Sequence, residues 1–515
     1  MKVNHMSIET KAGRKIIKDF SFALNMNDKL AIIGEEGNGK STILKFIYDK
    51  NLIEDYCYYN GIVDISKEDI GYLEQSLNSG WNTFGAMDFF LYPDINQNPE
   101  YEIYNEIYKI ETLFEKYNIE KTILTENRKI QSLSGGEKVK LQLIKIIIRK
   151  PKLILLDEPT NDIDLETILL LEKFILSEPT PIIYVSHDEE LLSKTANAIL
   201  HLEQIKRKTE MKFTYLKTDY SSYISLRQRQ LDQQNKDAYR TRKEKEEKRQ
   251  KLMQQHLLVE NDLDRAVRQP SWGRLLAKKM KNIKAIEKRV EQMPVVDYAQ
   301  PEEAINAFFS KDVYIPNGKT ILDIRDLRLS IEDKVLATSV TLKIVGPKHI
   351  ILIGNNGTGK TTLLKQIYHL LKDRTDIVLG YMPQTYEEEF ISSLDAVSYL
   401  QTFLGHDAKT KSKIMSFLGA LNFQEFEMKS TLDQLSGGQK AKLYLGKLIL
   451  LNCNVLLLDE PTRNLSPLSN PVIRQILKDF RGTILAVTHD RKMLQEVADE
   501  VYCLTKEGLQ ILNNS

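Results

Sequence analysis

Residues 133–141 read LSGGEKVKL, and residues 152–160 read KLILLDEPT. Nearly the same strings return as LSGGQKAKL at 435–443 and VLLLDEPT at 455–462. In both copies the signature serine lies 23 positions before the first acidic residue of DEPT, and a histidine lies 30 positions after that residue. Such repetition of motif order and spacing indicates a duplicated fold.

A glycine-rich segment precedes each pair of motifs: GEEGNGKS at 34–41, after the apolar run KLAII, and GNNGTGKT at 354–361. A strand, a glycine-rich loop and a helix in this order fit the phosphate-binding pattern GxxxxGK[ST]. There, backbone N–H groups surround the phosphates, the lysine reaches the β and γ oxygens, and the hydroxyl holds Mg²⁺. The predicted ATP-binding residues of the two loops are Gly34, Glu35, Glu36, Gly37, Asn38, Gly39, Lys40, Ser41 and Thr42, and Gly354, Asn355, Asn356, Gly357, Thr358, Gly359, Lys360, Thr361 and Thr362. Because Glu35 and Glu36 are acidic, we expect their side chains to point away from the phosphates.

The combined motifs resemble those of ATP-binding-cassette ATPases. The resemblance implies an α/β fold, with two tandem P-loop nucleotide-binding domains of the ABC type joined by a long α-helical hairpin linker. It further implies that the two modules hold two ATP molecules head to tail. One site would combine Lys40, Asp157 and Glu158 with the signature residues Ser436, Gly437 and Gly438. The other would combine Lys360, Asp459 and Glu460 with Ser134, Gly135 and Gly136.

Phosphoryl transfer to water needs neutralised phosphate charge and a positioned nucleophile. Glu158 and Glu460 are placed to act as general bases on the attacking water. The resemblance adds His187 and His489 as partners of the γ-phosphate, and Gln75 and Gln384 as sensors of metal and water. The predicted magnesium ligands are Ser41, Thr361, Asp157, Asp459, Gln75 and Gln384.

Two departures from the family pattern stand out. Many cassette ATPases stack an aromatic side chain on adenine, whereas Lys11 and Ile331 occupy that position here, so nucleotide selectivity is open. After the second DEPT, Ser466 replaces the acidic residue that is Asp164 in the first copy. We therefore expect the two sites to differ in rate.

Residues 221–295 separate the modules and carry 19 Lys/Arg and 10 Asp/Glu, a net charge of +9, whereas the whole chain is +1. Residues 221–269 contain neither Gly nor Pro and predict one long helix. Pro270 and Gly273 then interrupt, and a second helix is expected over 275–293. The basic charge predicts a polyanionic partner, most plausibly nucleic acid. The predicted domains are 1–212 (module one), 213–312 (linker with the hairpin) and 313–515 (module two).

Two cassettes joined by a basic helical linker resemble the ABC-F family of ribosome-binding ATPases, in its antibiotic-resistance branch. The resemblance implies binding at the exit site of the 70S ribosome, with the hairpin approaching P-site tRNA and 23S rRNA at the peptidyl-transferase centre. There it would displace pleuromutilin, lincosamide or streptogramin A drugs. The tip is expected within residues 256–272, near His256 by arm symmetry or later by Pro270 and Gly273. The candidate tip residues are His256, Leu257, Leu258, Val259, Arg265, Arg268, Trp272 and Arg274.

Each apolar tip residue equally fits packing between the two helices. Two other functions remain open at this stage: a housekeeping translation ATPase of the same family, and the ATPase subunit of a membrane transporter. The cysteines Cys57, Cys453 and Cys503 form neither a disulfide framework nor a zinc motif. No apolar run approaches the ~18–20 residues of a membrane span, and the N-terminus lacks a secretion signal. We expect a cytoplasmic monomer that pairs its own two ATPase modules, uses ATP and Mg²⁺, and binds neither membrane nor DNA.

Overall fold

The computed structural model describes residues 1–161, 163–205, 208, 210–265, 270–299, 301–331, 334–386 and 393–512. Contacts divide the chain into two compact units. One contains Met1–Tyr220 and Glu302–Ser515, and the other contains Ser221–Pro301. Among the described residues, no helix combines the length and the apolar character that crossing a membrane requires.

Module one alternates strands and helices, as an α/β fold requires. Its elements are β1 (Lys2–Thr10), β2 (Lys15–Ala23), β3 (Lys29–Ile33), α1 (Lys40–Tyr48), β4 (Cys57–Val63), β5 (Ile70–Leu73), α2 (Ala86–Leu91), α3 (Ile107–Lys116), α4 (Thr122–Thr125), α5 (Gly135–Arg149), β6 (Leu153–Asp157), α6 (Leu165–Ser177), β7 (Ile182–Val185), α7 (Glu189–Thr195), β8 (Ala198–Ile205) and β9 (Glu210–Leu216). The last strand thus continues past residue 212.

The main sheet of module one has the order β5-β6-β7-β3-β8-β9. All neighbours are parallel except β8 and β9. Every residue of β3, β6 and β7 is buried, because helices cover both faces of a parallel sheet. A separate antiparallel sheet, β2-β1-β4, packs with α1 and β3 in one apolar core. The carboxyl ends of β3 and β6 therefore lie together at one edge, where ligands bind in such folds.

A long helical pair follows, α8 (Tyr220–Arg265) and α9 (Pro270–Glu291). The predicted start of the second helix is wrong. The first helix is described as far as Arg265, and its predicted continuation to residue 269 lies outside the described residues. The second helix includes Pro270 and therefore begins earlier than residue 275. Gly273 lies inside that second helix. Proline suits the first position of a helix, where its missing N–H has no partner to lose. Since His256 lies within α8, it is not the apex that arm symmetry indicated.

Module two repeats the architecture of module one. Its elements are β10 (Lys319–Ile331), β11 (Lys334–Gly346), β12 (His349–Ile353), α10 (Lys360–Leu371), β13 (Leu379–Met382), α11 (Ala396–Leu404), α12 (Ala408–Ala420), α13 (Glu425–Lys429), α14 (Gly437–Leu450), β14 (Val455–Asp459), α15 (Asn470–Lys478), β15 (Thr483–Val487), α16 (Arg491–Glu496), β16 (Glu500–Leu504) and β17 (Leu509–Leu512). Its main sheet, β13-β14-β15-β12-β16-β17, matches that of module one strand for strand. The predicted duplicated α/β fold, with a helical pair between the copies, is confirmed.

Candidate active site

The first phosphate loop lies between β3 and α1. Lys40, the first residue of α1, is buried and donates from Nζ to the carbonyl oxygens of Gly34 at 2.9 Å and Glu35 at 3.1 Å. Gly34 has a φ of 147°, and a Cβ atom there would lie 2.2 Å from the carbonyl oxygen of Leu202, so no other residue fits. The loop is thus closed around its lysine, with the N-terminus of α1 directed into the site.

Behind this loop, β6 delivers two acidic residues. The Ser41 hydroxyl donates to Asp157 Oδ1 at 2.9 Å, and Tyr72 donates to Asp157 Oδ2 at 3.3 Å. Burial raises the pKa of Asp157 to about 6, against the opposing effect of the Ser41 hydrogen bond. A hydroxyl and a carboxylate beside a phosphate loop form the kind of partial oxygen shell that Mg²⁺ uses together with phosphate and water. The residues present therefore fit the ion.

Glu158 lies at the centre of a polar network. Its backbone is left-handed, with a φ of 48°, an unusual conformation for a non-glycine residue that is typical of functional sites. Its carboxylate accepts from Gln75 Nε2 at 2.9 Å and Asn161 Nδ2 at 2.6 Å, and His187 Nε2 lies 3.2 Å away. Burial alone would raise the pKa of Glu158, but the hydrogen bond and charge of His187 and the charge of Lys40 lower it to about 2. The structure therefore holds an ionised carboxylate where a general base is needed.

The signature of module two faces this site. Ser436 caps α14 by accepting from the N–H of Gln439, and the N-terminus of this helix contacts the first phosphate loop. The N–H of Gly438 donates to Glu36 Oε2. The charges of Lys40, His187 and Glu158 all act on the same carboxyl, whose pKa is raised because burial outweighs the Gly438 hydrogen bond. The expectation that Glu36 points away from the phosphate site is therefore wrong.

Glu35 turns instead towards module two. Its carboxylate accepts from the hydroxyls of Ser466 and Ser469 at 2.5 Å each, and Lys442 Nζ lies 3.1 Å away. Burial would raise the pKa of Glu35, but the charge of Lys442 and the two hydroxyls lower it to about 2. Ser466, singled out in the sequence as a lost acidic residue, thus pairs with a carboxylate on the opposite module. Sequence reasoning missed this contact, although an acidic GEEG loop opposite a serine-rich loop was a usable signal.

The second phosphate loop has the same internal geometry. Lys360 Nζ donates to the carbonyl oxygens of Gly354 at 2.7 Å and Asn355 at 3.1 Å. Beside it lies a cavity of about 680 Å³, compared with about 260 Å³ at the first loop. Both modules line the larger cavity, with Asn356, Gly357, Gly359, Lys360, Thr361, Thr362, Gln384, Asp459, Glu460 and His489 from module two and Thr160, Asn161, Ile163, His187 and Glu189 from module one. A cavity of this size has room for a nucleotide.

The acidic residues Asp459 and Glu460 of module two have different hydrogen-bond partners from Asp157 and Glu158 of module one. Glu460, with a φ of 52°, accepts from the Thr488 hydroxyl and the His489 N–H at 3.3 Å each, and His489 Nε2 is 3.8 Å away. Burial and the neighbouring Asp459 raise the pKa of Glu460 to about 8, whereas burial and Lys360 lower the pKa of His489 to about 4. Both Asp459 oxygens are buried and meet no donor at full hydrogen-bond geometry among the described residues, although the Thr361 hydroxyl is near enough to oppose the rise that burial causes in the pKa of Asp459. A buried carboxylate beside a hydroxyl suits a bound cation. The two sites are therefore electrostatically unequal.

In the described part of the chain, the signature of module one does not line the cavity at the second phosphate loop. Ser134 caps α5 in a capping box with Glu137, and Gly136 packs near Thr167. Over the described residues, the lining of the larger cavity includes none of Ser134, Gly135 and Gly136. Asp164, however, acts through its charge on both Lys360 and His489. At site two, Asp164 of the opposite module thus supplies a carboxylate in addition to Asp459 and Glu460. At site one, Ser466 stands at the position equivalent to Asp164, and the additional carboxylate is Glu35 of the phosphate loop itself.

On the nucleotide-base side, the two sites again differ. Ile331, Lys334 and Leu336 line the larger cavity, whereas Arg14 lines the smaller one and donates to the Gly37 carbonyl oxygen at 2.9 Å. Sequence reasoning missed Arg14. It also missed Glu302, which accepts from Asn38 Nδ2 at 2.8 Å and from the Gln204 N–H at 3.0 Å. No local motif marks either residue, because both act through chain segments distant from the loop.

The candidate tip residues divide into buried and exposed groups. Val259 is 2% exposed and packs with Leu276 and Ile283 between the helices, so its assignment to an exposed tip is wrong. His256 is 2.8 Å from Glu287 and joins the two helices. By contrast, Leu257, Leu258 and Trp272 are 51%, 65% and 47% exposed. Arg265 and Arg274 are also exposed, and Arg268 lies outside the described residues.

Comparisons with known proteins agree with this geometry. The family model described as "ABC transporter" matches residues 17–161 and 337–463. The ATP-binding protein YdiF of Bacillus subtilis is 30% identical over 393 residues, which cover 75% of this chain and 57% of the relative. The chain thus spans little more than half of that protein. The ABC transporter F family member 2 of Arabidopsis thaliana is 25% identical over 544 residues, which cover 96% and 75%.

Among solved structures, the complex of an archaeal ribosomal stalk protein with an archaeal ribosome recycling factor contains a similar fold. The TM-score is 0.56 at 15% identity, and the match covers 95% of this chain and 87% of the other.

Proposed function

Because the chain belongs to the ABC transporter family through its two ATP-binding cassettes, whose presence implies ATP hydrolysis, we propose that it is an ABC-F ATPase acting on the bacterial ribosome. It binds the 70S particle from the cytosol with ATP loaded and places its basic helical pair beside P-site tRNA and 23S rRNA. In that position it protects the peptidyl-transferase centre from pleuromutilins, lincosamides and streptogramin A. Hydrolysis then releases it.

The proposed catalysis uses two composite sites. Lys40 and Lys360 neutralise phosphate charge, and Glu158 and Glu460 orient the attacking water, with His187 and His489 beside them. Glu158 is ionised and can accept the proton of the water directly, whereas Glu460, whose pKa is raised to about 8, acts as a base only after it has lost its own proton. Ser41 with Asp157, and Thr361 with Asp459, would hold magnesium, which would supply charge neutralisation at the transferred phosphate. Gln75, which already donates to Glu158, is placed to report the metal and water positions. The signature N–H groups contribute only when the modules close, so ATP binding favours closure.

The helical pair carries the ribosome part of the proposal. Its two helices are held together by an apolar seam of Val259, Leu276 and Ile283 and by the contact of His256 with Glu287. This seam leaves most of the Lys and Arg side chains on the outside, where a net charge of +9 over residues 221–295 is available to a polyanion. The 46-residue α8 is about 69 Å long at roughly 1.5 Å per residue, long enough to extend deep into a large ribonucleoprotein.

The names of the similar proteins support the proposal of a ribosomal partner. One is named as a member of the F family, and the structural neighbour is described as a ribosome recycling factor. Since the described residues that line the two ATP sites all lie outside the helical pair, a separate macromolecular partner best accounts for its length and charge.

The decisive experiment is a pull-down with the Glu158→Gln/Glu460→Gln double variant in the presence of ATP. It should be trapped on 70S ribosomes, because ATP binds and the modules close but water is not activated. The matched control adds Lys40→Ala and Lys360→Ala, which should prevent trapping. Recovery of the ATP-loaded double variant in membranes, with none on ribosomes, would favour a transporter subunit.

Expression in a sensitive bacterium tests the resistance claim. Inhibitory concentrations should rise for at least one of the three drug classes. Shortening the hairpin between Leu257 and Trp272 should remove protection while ATPase activity stays within about twofold. If ribosome trapping occurs but all inhibitory concentrations stay unchanged, the protein is a housekeeping translation factor of the same family instead.

A further inference from the structure

The two modules meet through a second set of contacts, made by α6 and α7 of module one and α15 and α16 of module two. Arg474 on α15 donates from Nη1 and Nη2 to the two oxygens of Glu189, at 2.7 and 3.1 Å. Arg491 on α16 donates from Nη1 to Glu172 Oε2 at 2.9 Å. All four side chains are at most 12% exposed. These two contacts are called the cross-module ion pairs.

Each cross-module ion pair also has a partner within its own module. Arg474 Nε donates to Glu496 Oε2 at 2.8 Å, and Lys194 Nζ lies 3.1 Å from Glu172 Oε1. Arg491 additionally donates from Nη2 to both oxygens of Asp188 at 3.1 Å. Buried charges are tolerated only when they are paired in this way.

The duplication relates these charges to one another. Asp157 and Asp459 are equivalent and lie 302 positions apart. The same offset places Glu172 with Arg474, Glu189 with Arg491, and Lys194 with Glu496. The two cross-module ion pairs are therefore the same contact formed twice, and each position has opposite charge in the two modules. Module one supplies both acidic partners, and module two supplies both arginines.

This reversal has a consequence for pairing between copies of the chain. If two copies joined their second modules in the same geometry, each Arg474 would face an Arg491, and the acidic groups beside Arg474 would be Glu496 and Asp490 of its own module. If they joined their first modules, each Glu172 would face a Glu189. Glu35 would also meet Asp164, because Ser466 occupies the equivalent position in the real contact. Both arrangements bury like charges, which opposes association.

We propose that the α15/α16 surface of module two recognises a cassette with acidic groups at the positions of Glu172 and Glu189, and that its occupant is module one of the same chain. The reversed charges admit this pairing and reject pairing of like modules from two copies. The inference deepens the proposed function, since it rests on closure of the two modules, but it is independent of the ribosome.

Charge-exchanged variants of the full chain test this proposal. The module-one variant, Glu172→Arg/Glu189→Arg/Lys194→Glu, takes the residues of module two at three equivalent positions. The module-two variant, Arg474→Glu/Arg491→Glu/Glu496→Lys, makes the opposite exchange. All variants are made in a Glu190→Gln/Lys492→Gln background, because Glu190 lies 2.9 Å from Arg491 Nε and 3.9 Å from Lys194 Nζ and would otherwise remain unexchanged; this background is the original chain in the comparison. Because Lys194 and Glu496 are exchanged as well, the pair of Glu172 with Lys194 and the pair of Arg474 with Glu496 keep opposite charges. The six-fold variant combines both sets.

We expect each three-fold variant to lose at least tenfold of its ATPase rate. The six-fold variant should return to within about threefold of the original chain and sediment as a monomer. An equimolar mixture of the two three-fold variants should form dimers of one chain of each kind and regain activity, since their charges are complementary. Lys478→Glu, an exposed charge reversal on α15, is the control and should change neither property.

Three-fold variants that keep full activity and sediment as monomers would overturn the proposal. So would failure of both the six-fold variant and the mixture to recover, because the damage would then be structural rather than due to unmatched charge. Neither readout uses ribosomes. Absence of ribosome binding would therefore refute the proposed function while leaving the pairing result in place.

Discussion

Glu36, in the phosphate loop of module one, accepts a hydrogen bond from the backbone N–H of Gly438, in the signature of module two. The two residues are 402 positions apart in the chain. In a closed composite site that N–H would face the γ-phosphate, so the carboxylate and the nucleotide compete for one donor. Module two has Asn356 at the position equivalent to Glu36 and carries no such charge.

The first prediction follows from this competition. Glu36→Asn removes one negative charge beside Lys40 and frees the Gly438 N–H, so ATP should bind site one about 5- to 30-fold more tightly, or roughly 1–2 kcal/mol. Titration with a fluorescent ATP analogue, in a Lys360→Ala background that silences site two, measures the change. Glu36→Asp keeps the charge and should show less than half of the gain in binding free energy. Unchanged affinity in Glu36→Asn would mean that Glu36 leaves the site when ATP enters.

The second prediction concerns Glu35 and Ser466, which share a hydrogen bond across the modules. Ser466→Asp places a second buried carboxylate beside Glu35 and should destabilise the paired modules by roughly 1–3 kcal/mol, seen as a lower Tm. Adding Glu35→Asn recreates the arrangement of Asn355 and Asp164 in site two and should restore most of the loss. Ser466→Ala, which removes only a hydrogen bond, should cost about 1 kcal/mol. If Ser466→Asp and Glu35→Asn/Ser466→Asp lower the Tm equally, repulsion between the two carboxylates is not the cause of the destabilisation.

The sequence was sufficient for those parts of the site that depend on local motifs and sheet order. Lys40, Ser41 and Asp157 come together because the phosphate loop after β3 and the carboxyl end of β6 lie at the same edge of a parallel sheet, with β7 between the two strands. The direction of Glu36 was not predictable, since its partner lies on another module. Pro270 was misread as an interruption, although at the first position of a helix it costs no hydrogen bond. The ion pairs of Arg474 and Arg491 required the three-dimensional pairing of the modules.

The third prediction is a pH dependence at Glu302, which accepts from Asn38 and Gln204. Burial, and secondarily the charge of Glu35, raise the pKa of Glu302 to about 7 from an ordinary value of 4.5. Between these values the folded state binds more protons than the unfolded state, so stability falls as pH rises from about 4.5 to 7. Glu302→Gln keeps an acceptor without the charge. It should flatten this loss and be more stable at pH 8 by roughly 1–3 kcal/mol.

Thermal unfolding of both proteins between pH 5 and pH 8 provides the measurement for Glu302. The exposed residue Glu54 supplies the control, since Glu54→Gln should leave the pH dependence of Tm as it is. If the Tm of the original chain and the Tm of Glu302→Gln change with pH in parallel, Glu302 is ionised in the folded state and its surroundings stabilise that charge.

The last prediction separates packing from recognition in the helical pair. Val259 is 2% exposed and Leu258 is 65% exposed, although they are adjacent on α8. Val259→Ala should loosen the seam with Leu276 and Ile283 by roughly 1–3 kcal/mol, seen as faster hydrogen exchange of α8 and α9 amides.

Leu258→Ala should leave that exchange unchanged but reduce drug protection, since its side chain is free to contact a partner. Each variant is the control for the other, because both shorten one aliphatic side chain at neighbouring positions. Protection that falls only in Val259→Ala, together with faster exchange, would show that the helical pair acts through its rigidity rather than through its exposed apolar groups.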